Sequence, residues 1–140
     1  MCPEASPWLS VAPEPILLRL ENVQHLLTPI TGVLRAPSHV LELVARLHPS
    51  PAVAGYPRDR ALRLLEEGEG LDRGWYAGPI GWTDAAGDGE FAVAIRSAVL
   101  HGAQASVYAG AGIVAGSDPR AELAETQLKM QPLLSALLEL

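Results

Sequence analysis

Near the end of the chain Glu122, Glu125, Thr126 and Lys129 recur at i, i+3, i+4 and i+7. At about 100° per residue, an α-helix gathers two carboxylates, a hydroxyl and an ammonium with this spacing on one face. Two carboxylates one turn apart suit a hard divalent cation, since magnesium is commonly held by one or two carboxylates and keeps water and substrate oxygens as its other ligands. The same spacing equally suits a solvated face on which Glu125 and Lys129 form an i, i+4 pair worth a few tenths of a kcal/mol. Spacing alone favours the solvated face.

Directly upstream, "YAGAGIVAGSDP" places Gly110 and Gly112 in the G-x-G-x-x-A pattern of a dinucleotide-binding loop. Such a loop needs a helix that begins at once, so that its N-terminal amides face the pyrophosphate, followed by a second parallel strand carrying an acidic residue. Here the natural helix start is Asp118-Pro119, too late for the glycines, and only a helix follows. A nucleotide cradle is therefore rejected. The plain alternative is a pair of glycines in a strand whose neighbours pack too closely for a side chain.

The elements that must position these residues follow from the periodicity. Pro3, Pro7, Pro13 and Pro15 give residues 1–15 the character of an irregular lead-in, with order from Ile16 onward. "ILLRL" and "VQHLLTPITGVLR" read as two strand-forming pieces separated by Glu21 and Asn22, with Pro29 at an edge or bulge. Val40, Leu43, Val44 and Leu47 make one helical stripe with Ser38 as its N-cap. After a loop, "HPSPAVAGYP", a second helix starts at Pro57 and stops at Gly68. The turn "DAAGDG" divides an antiparallel hairpin, "QASVYAGAGIVAG" is a third strand after "HGAQ", and the terminal helix is capped by Ser117 or Asp118 and kinked by Pro132. Strands in a meander followed by a helix describe an α+β layer, residues 16–140 forming one unit.

Composition removes several classes of function. Of 140 residues 49% are apolar, enough for one globular core, and the net charge of −6 offers no positive field for nucleic acid or an anionic membrane. Cys2 is the single cysteine, which permits no internal disulfide and no multi-thiolate zinc site and reads as an incidental thiol. No apolar run is long enough to span a bilayer, and the N-terminus lacks the regions of a signal peptide, so the cytoplasm is the expected compartment.

Six ordered blocks carry a resemblance: "NVQHLLTPITGVL", "LHPSPAVAGYPR", "DRGWYAGPIGW", "GDGEFAVAIRSA", "YAGAGIVAGSDP" and "AELAETQLK". They resemble the C-terminal blocks of the chorismate-utilising enzymes, which include anthranilate, aminodeoxychorismate, salicylate and isochorismate synthases. The resemblance implies the C-terminal part of an α/β sandwich, with an antiparallel sheet and helices packed on one face. It also implies Mg2+-dependent chemistry on chorismate. It gives Glu125 the role of a magnesium ligand and Glu122 that of its neighbour at the metal. Lys129 would meet a substrate carboxylate, and Arg96 would pair with the enolpyruvyl carboxylate, which a planar guanidinium can grip with two bonds. By the same resemblance Tyr76 hydrogen-bonds near that carboxylate, Gly110 and Gly112 lay bare backbone against the substrate, and His25 stands beside the ring. Without the resemblance, Arg96 reads as a solvent-facing strand arginine, Tyr76 as a core aromatic and His25 as an ordinary strand histidine.

Ala52 occupies a position where members that eliminate pyruvate commonly carry threonine, which points to the isochorismate synthase branch. The implied reaction is addition of water at C2 of chorismate with loss of the C4 hydroxyl. Family members are longer, and the residues that activate water and protonate the departing hydroxyl belong to upstream blocks with no counterpart here. The chain is therefore expected to be incomplete and inactive alone, its partners being chorismate or isochorismate and the missing N-terminal part. The alternatives are a non-catalytic module that self-associates and a synthase of the salicylate or anthranilate type.

Overall fold

The computed structural model describes residues 8–19 and 24–139; Cys2, Glu21 and Asn22 lie outside them. The chain divides into two compact units, Met1–Ser38 and His39–Leu140, and the described strands pair as four two-stranded antiparallel ladders.

The first unit holds two ladders. Strand β1 (Leu9–Val11) pairs with β4 (Ile30–Gly32), and β2 (Ile16–Arg19) pairs with β3 (Gln24–Leu27). Order thus begins before Ile16: proline spaces the segment but leaves Leu9, Ser10 and Val11 free to donate and accept in a ladder. The two expected strand pieces become three strands, because Thr28 and Pro29 interrupt the second of them. Pro29 still serves the ladder through its carbonyl, which accepts from the Ala12 amide at 3.0 Å.

The second unit carries the remaining elements. Helix α1 (Val40–Leu47) is capped by His39, whose Nδ1 accepts from the Leu41 amide at 3.2 Å; the expected cap, Ser38, lies one residue too early. The segment read as a loop contains a one-turn helix, α2 (Pro51–Ala54), because Pro51 presets the first helical φ. Helix α3 (Arg58–Gly68) follows from Pro57 as expected.

Strands β5 (Pro79–Thr83) and β6 (Gly89–Val93) form the expected hairpin, closed by Asp84 Oδ1, which accepts from the amides of Ala86 and Asp88 at 2.9 and 3.0 Å. Gly87, with φ +88°, turns the chain so that its carbonyl accepts from the Val40 amide, tying the hairpin tip to α1. Beyond Val93 the chain does not run on as one strand. It bends at Ala94–Ile95–Arg96 and resumes as β7 (Ser97–His101), which pairs with β8 (Gln104–Tyr108). The expected three-strand meander is therefore two hairpins. Strand β8 also stops at Tyr108, leaving Gly110 and Gly112 in the irregular connection to α4 (Pro119–Leu138) rather than in a strand. Asp118 caps α4 through Oδ1, at 3.0 and 2.8 Å from the amides of Arg120 and Ala121, and the helix continues through Pro132.

The architecture is α+β, antiparallel ladders with helices, as expected. Among the described hydrophobic residues only Ala54 and Ala77 are buried, while many large apolar side chains, Leu26, Leu47, Ile80 and Ile113 among them, are exposed. Helix α4 contacts β8, and α1 contacts β6. The first of these contacts sets α4, which carries Glu122, Glu125 and Lys129, against β8.

Candidate functional site

Strand β8 and helix α4 bring together residues distant in sequence. Lys129 on α4 donates to the Gly110 carbonyl at 3.0 Å and to Glu125 Oε1 at 2.5 Å. Gly110 in turn lies against Tyr76: a β-carbon at position 110 would stand 2.8 Å from the Tyr76 hydroxyl oxygen. The Tyr76 ring stacks on Tyr108, with centroids 5.6 Å apart and an interplanar angle of 19°. A phenol, a bare glycine backbone, an ammonium and a carboxylate thus form a contiguous row in the second unit. Glu125 and Lys129 form the i, i+4 pair; the Glu125 carboxylate remains exposed, while Lys129 also reaches the glycine segment through the Gly110 carbonyl.

Arg96 sits in the bend between the two hairpins. The bend is held by the Ala77 amide donating to the Ala94 carbonyl and the Ala94 amide donating to the Gly78 carbonyl, both at 2.8 Å. These bonds tie the segment that follows Tyr76 to Ala94, two residues before Arg96. Ala77 (φ +65°) and Arg96 (φ +48°) adopt the left-handed conformation that costs a β-carbon-bearing residue of order 1 kcal/mol. The strand arginine anticipated from the sequence is a corner arginine, half-buried and held in a strained turn.

The other expected residues occupy these places. Glu122 is half-buried on α4, one turn before Glu125. Among the described residues no group of three or more His, Cys, Asp or Glu side chains is placed to hold a metal ion. Glu122 and Glu125 stand one turn apart on α4, and Glu125 Oε1 accepts from Lys129. Ala52 is exposed on α2, next to Val53. Gly112 has open space where a side chain would be, with nothing within 4 Å. His25 lies in the first unit, on β3 opposite Leu18.

Three residues that the sequence reading did not single out belong to this neighbourhood. Tyr108 stacks on Tyr76. Arg73 lies with its guanidinium carbon 5.7 Å from the Tyr76 ring centroid and donates to Glu69 Oε1 and Oε2 at 2.5 and 2.7 Å. Hydrogen bonding from Arg73 holds the Glu69 carboxyl below its ordinary value against a smaller opposing effect of burial, and the same bonds raise Arg73. The i, i+4 spacing of Glu69 and Arg73 was a legible signal, but it runs past the end of α3 into irregular chain.

The family description "Chorismate binding enzyme" matches residues 3–138. The chain is 49% identical to isochorismate synthase MenF of Bacillus subtilis over 123 residues, 88% of this chain and 26% of that protein. It is 47% identical to the salicylate biosynthesis isochorismate synthase of Pseudomonas aeruginosa over 129 residues, covering 92% and 27%. Its fold superposes on the crystal structure of DhbC from Bacillus anthracis with a TM-score of 0.84 and 42% identity, covering 94% of this chain and 36% of that one. The chain thus spans about a quarter to a third of the length of these relatives. With the match running over nearly its whole length, the chain belongs to the chorismate binding enzyme family.

Proposed function

We propose that the chain supplies the carboxylate-binding side of an isochorismate synthase active site. The observation that carries this reading is the row Tyr76, Gly110, Lys129 and Glu125, with Arg96 at the adjoining corner. Chorismate bears two carboxylates, and the chain offers an ammonium and a guanidinium of the kind that bind them. Arg96 would grip the enolpyruvyl carboxylate with two bonds, the Tyr76 hydroxyl would donate beside it, and Lys129 would meet a carboxylate that replaces Glu125 as its counter-ion. Gly110 and Gly112 would let backbone approach the ring.

Glu125 and Glu122 would hold Mg2+, which when bound supplies Lewis-acid polarisation of the ring carboxylate. The net reaction adds water at C2 and expels hydroxide from C4, with one proton taken from the water and one given to the departing group, so that it is an isomerisation. Those two proton transfers require a general base and a general acid within hydrogen-bond reach. Lys129, the only lysine of the chain, is already engaged with a carboxylate. The transfers are assigned to the part of the relatives' length that lies outside the matched segment, acting in the cytoplasm, and the exposed apolar side chains are the surface that this part would cover.

Titrating the chain with chorismate in a calorimeter, with and without magnesium, tests the reading. Magnesium-dependent binding that is weakened on the order of tenfold or more by Lys129→Ala or Arg96→Ala is expected. Binding of NAD, or chorismate binding indifferent to both substitutions, would count against it. The other reading, a self-associating module, is favoured by the same exposed apolar side chains and predicts dimers or larger species in light scattering.

A further inference from the structure

Arg73 uses its whole guanidinium. Nε and Nη2 grip the two Glu69 oxygens, Nη1 donates to the Val53 carbonyl at 3.0 Å, and the guanidinium lies beside the Tyr76 ring. Two features argue that this arrangement is not there for helix stability. Glu69 caps the C-terminus of α3, where the helix dipole disfavours a carboxylate. The pair is also partly exposed, and such ion pairs contribute little to folding. What the fork does achieve is geometric. One planar group, fixed by Glu69, touches the α2 backbone one residue from Ala52 and at the same time the ring of Tyr76. A lysine could not make these contacts together, having one nitrogen instead of a rigid fork.

We propose that Arg73 is a positioning residue that joins α2 to Tyr76, so that Ala52 and Tyr76 meet the substrate as one rigid piece. Its bearing on substrate rests on the site reading above; the coupling itself does not. In this view Glu69 holds the fork, Arg73 sets the Val53 carbonyl and the Tyr76 ring relative to each other, and neither touches chorismate.

The test has two arms. In the first, NMR of the 140-residue chain without ligand follows the Tyr76 ring signals and the amides of residues 53–55. Arg73→Gln is expected to shift both sets together while the α4 signals stay in place, and Arg73→Lys is expected to restore neither fully. If Arg73→Gln prevents folding, Glu69→Gln, which releases the fork but keeps the arginine, is expected to produce the same joint shift. A folded variant in which only one set moves, or full restoration by lysine, overturns the proposal. In the second arm, chorismate is titrated into Arg73→Gln, Tyr76→Phe and the double variant. Each single change is expected to weaken binding about tenfold and the double change by clearly less than the product of the two, the remainder reflecting Ala52, as for residues acting as a unit. Additive losses overturn the proposal. If the wild-type chain binds no chorismate, the site reading fails, and the ligand-free arm still decides whether Arg73 couples the two segments.

Discussion

The Tyr76 hydroxyl oxygen stands 2.8 Å from the point where Gly110 would carry a β-carbon, closer than a real methyl group tolerates. The ring carbon bearing that hydroxyl is 4.0 Å away, an ordinary contact. Gly110 is itself exposed and the clash is with the end of one side chain, so Gly110→Ala should destabilise the chain by about 0.5–1.5 kcal/mol, the cost of pushing Tyr76 off its rotamer. Adding Tyr76→Phe, which removes only the offending oxygen, should recover most of that loss. Thermal melts of the two single variants and the double variant measure it; a double variant no more stable than Gly110→Ala would show that the contact is not what requires glycine.

The Glu69 carboxyl is held below its ordinary value chiefly by hydrogen bonds from Arg73. The sign follows from linkage: a depressed folded value gives a contribution fully present above the unfolded glutamate value of about 4.3, and lost as pH falls through the lower folded value. Carbon-13 NMR of the Glu69 carboxyl should therefore show a midpoint below the usual glutamate range. The Tyr76 ring signals should move with that same midpoint. In Arg73→Gln the midpoint should return upward, and in Glu69→Gln the acid transition at Tyr76 should vanish.

Helix α4 continues through Pro132, which lacks the amide that would bond to the carbonyl of Leu128. Proline in a helix interior is about 3 kcal/mol less favourable than alanine. Pro132→Ala should raise the melting temperature and helical ellipticity, while chorismate binding, which the proposed site assigns to the turns carrying Glu122 to Lys129, should stay as it was. A lower melting temperature would mean that the ring packs against something more valuable than the missing bond.

Much of this site was legible because helical spacing is a rigid rule: Glu122, Glu125 and Lys129 share a face of α4 wherever that helix lies. The hairpin around "DAAGDG" was equally plain, since Asp84 and Gly87 have the side chain and the φ that such a turn demands. The corner at Arg96 was not. "FAVAIRSAVL" has no proline or glycine to break a strand, and the bend comes from the tertiary bonds between Ala77, Gly78 and Ala94 together with the local bond from the Ile95 amide to the Val93 carbonyl. The one-turn helix at Pro51–Ala54 was lost among prolines that also signal a loop. Tyr108 and Arg73 escaped notice for another reason. Their role comes from what they touch across the fold, the ring of Tyr76, and no local pattern encodes that contact.

The central claim, that this chain furnishes one side of an isochorismate synthase site, is tested most directly by a chimera. Residues 3–138 would replace the matching segment of the Bacillus subtilis relative, to which the chain is 49% identical. The purified chimera would be given chorismate and magnesium and its products separated by chromatography. The predicted result is isochorismate as the main product, with Glu125→Ala reducing its formation on the order of a hundredfold or more. A folded chimera that forms no isochorismate, yields salicylate or anthranilate instead, or is indifferent to Glu125→Ala would contradict the account.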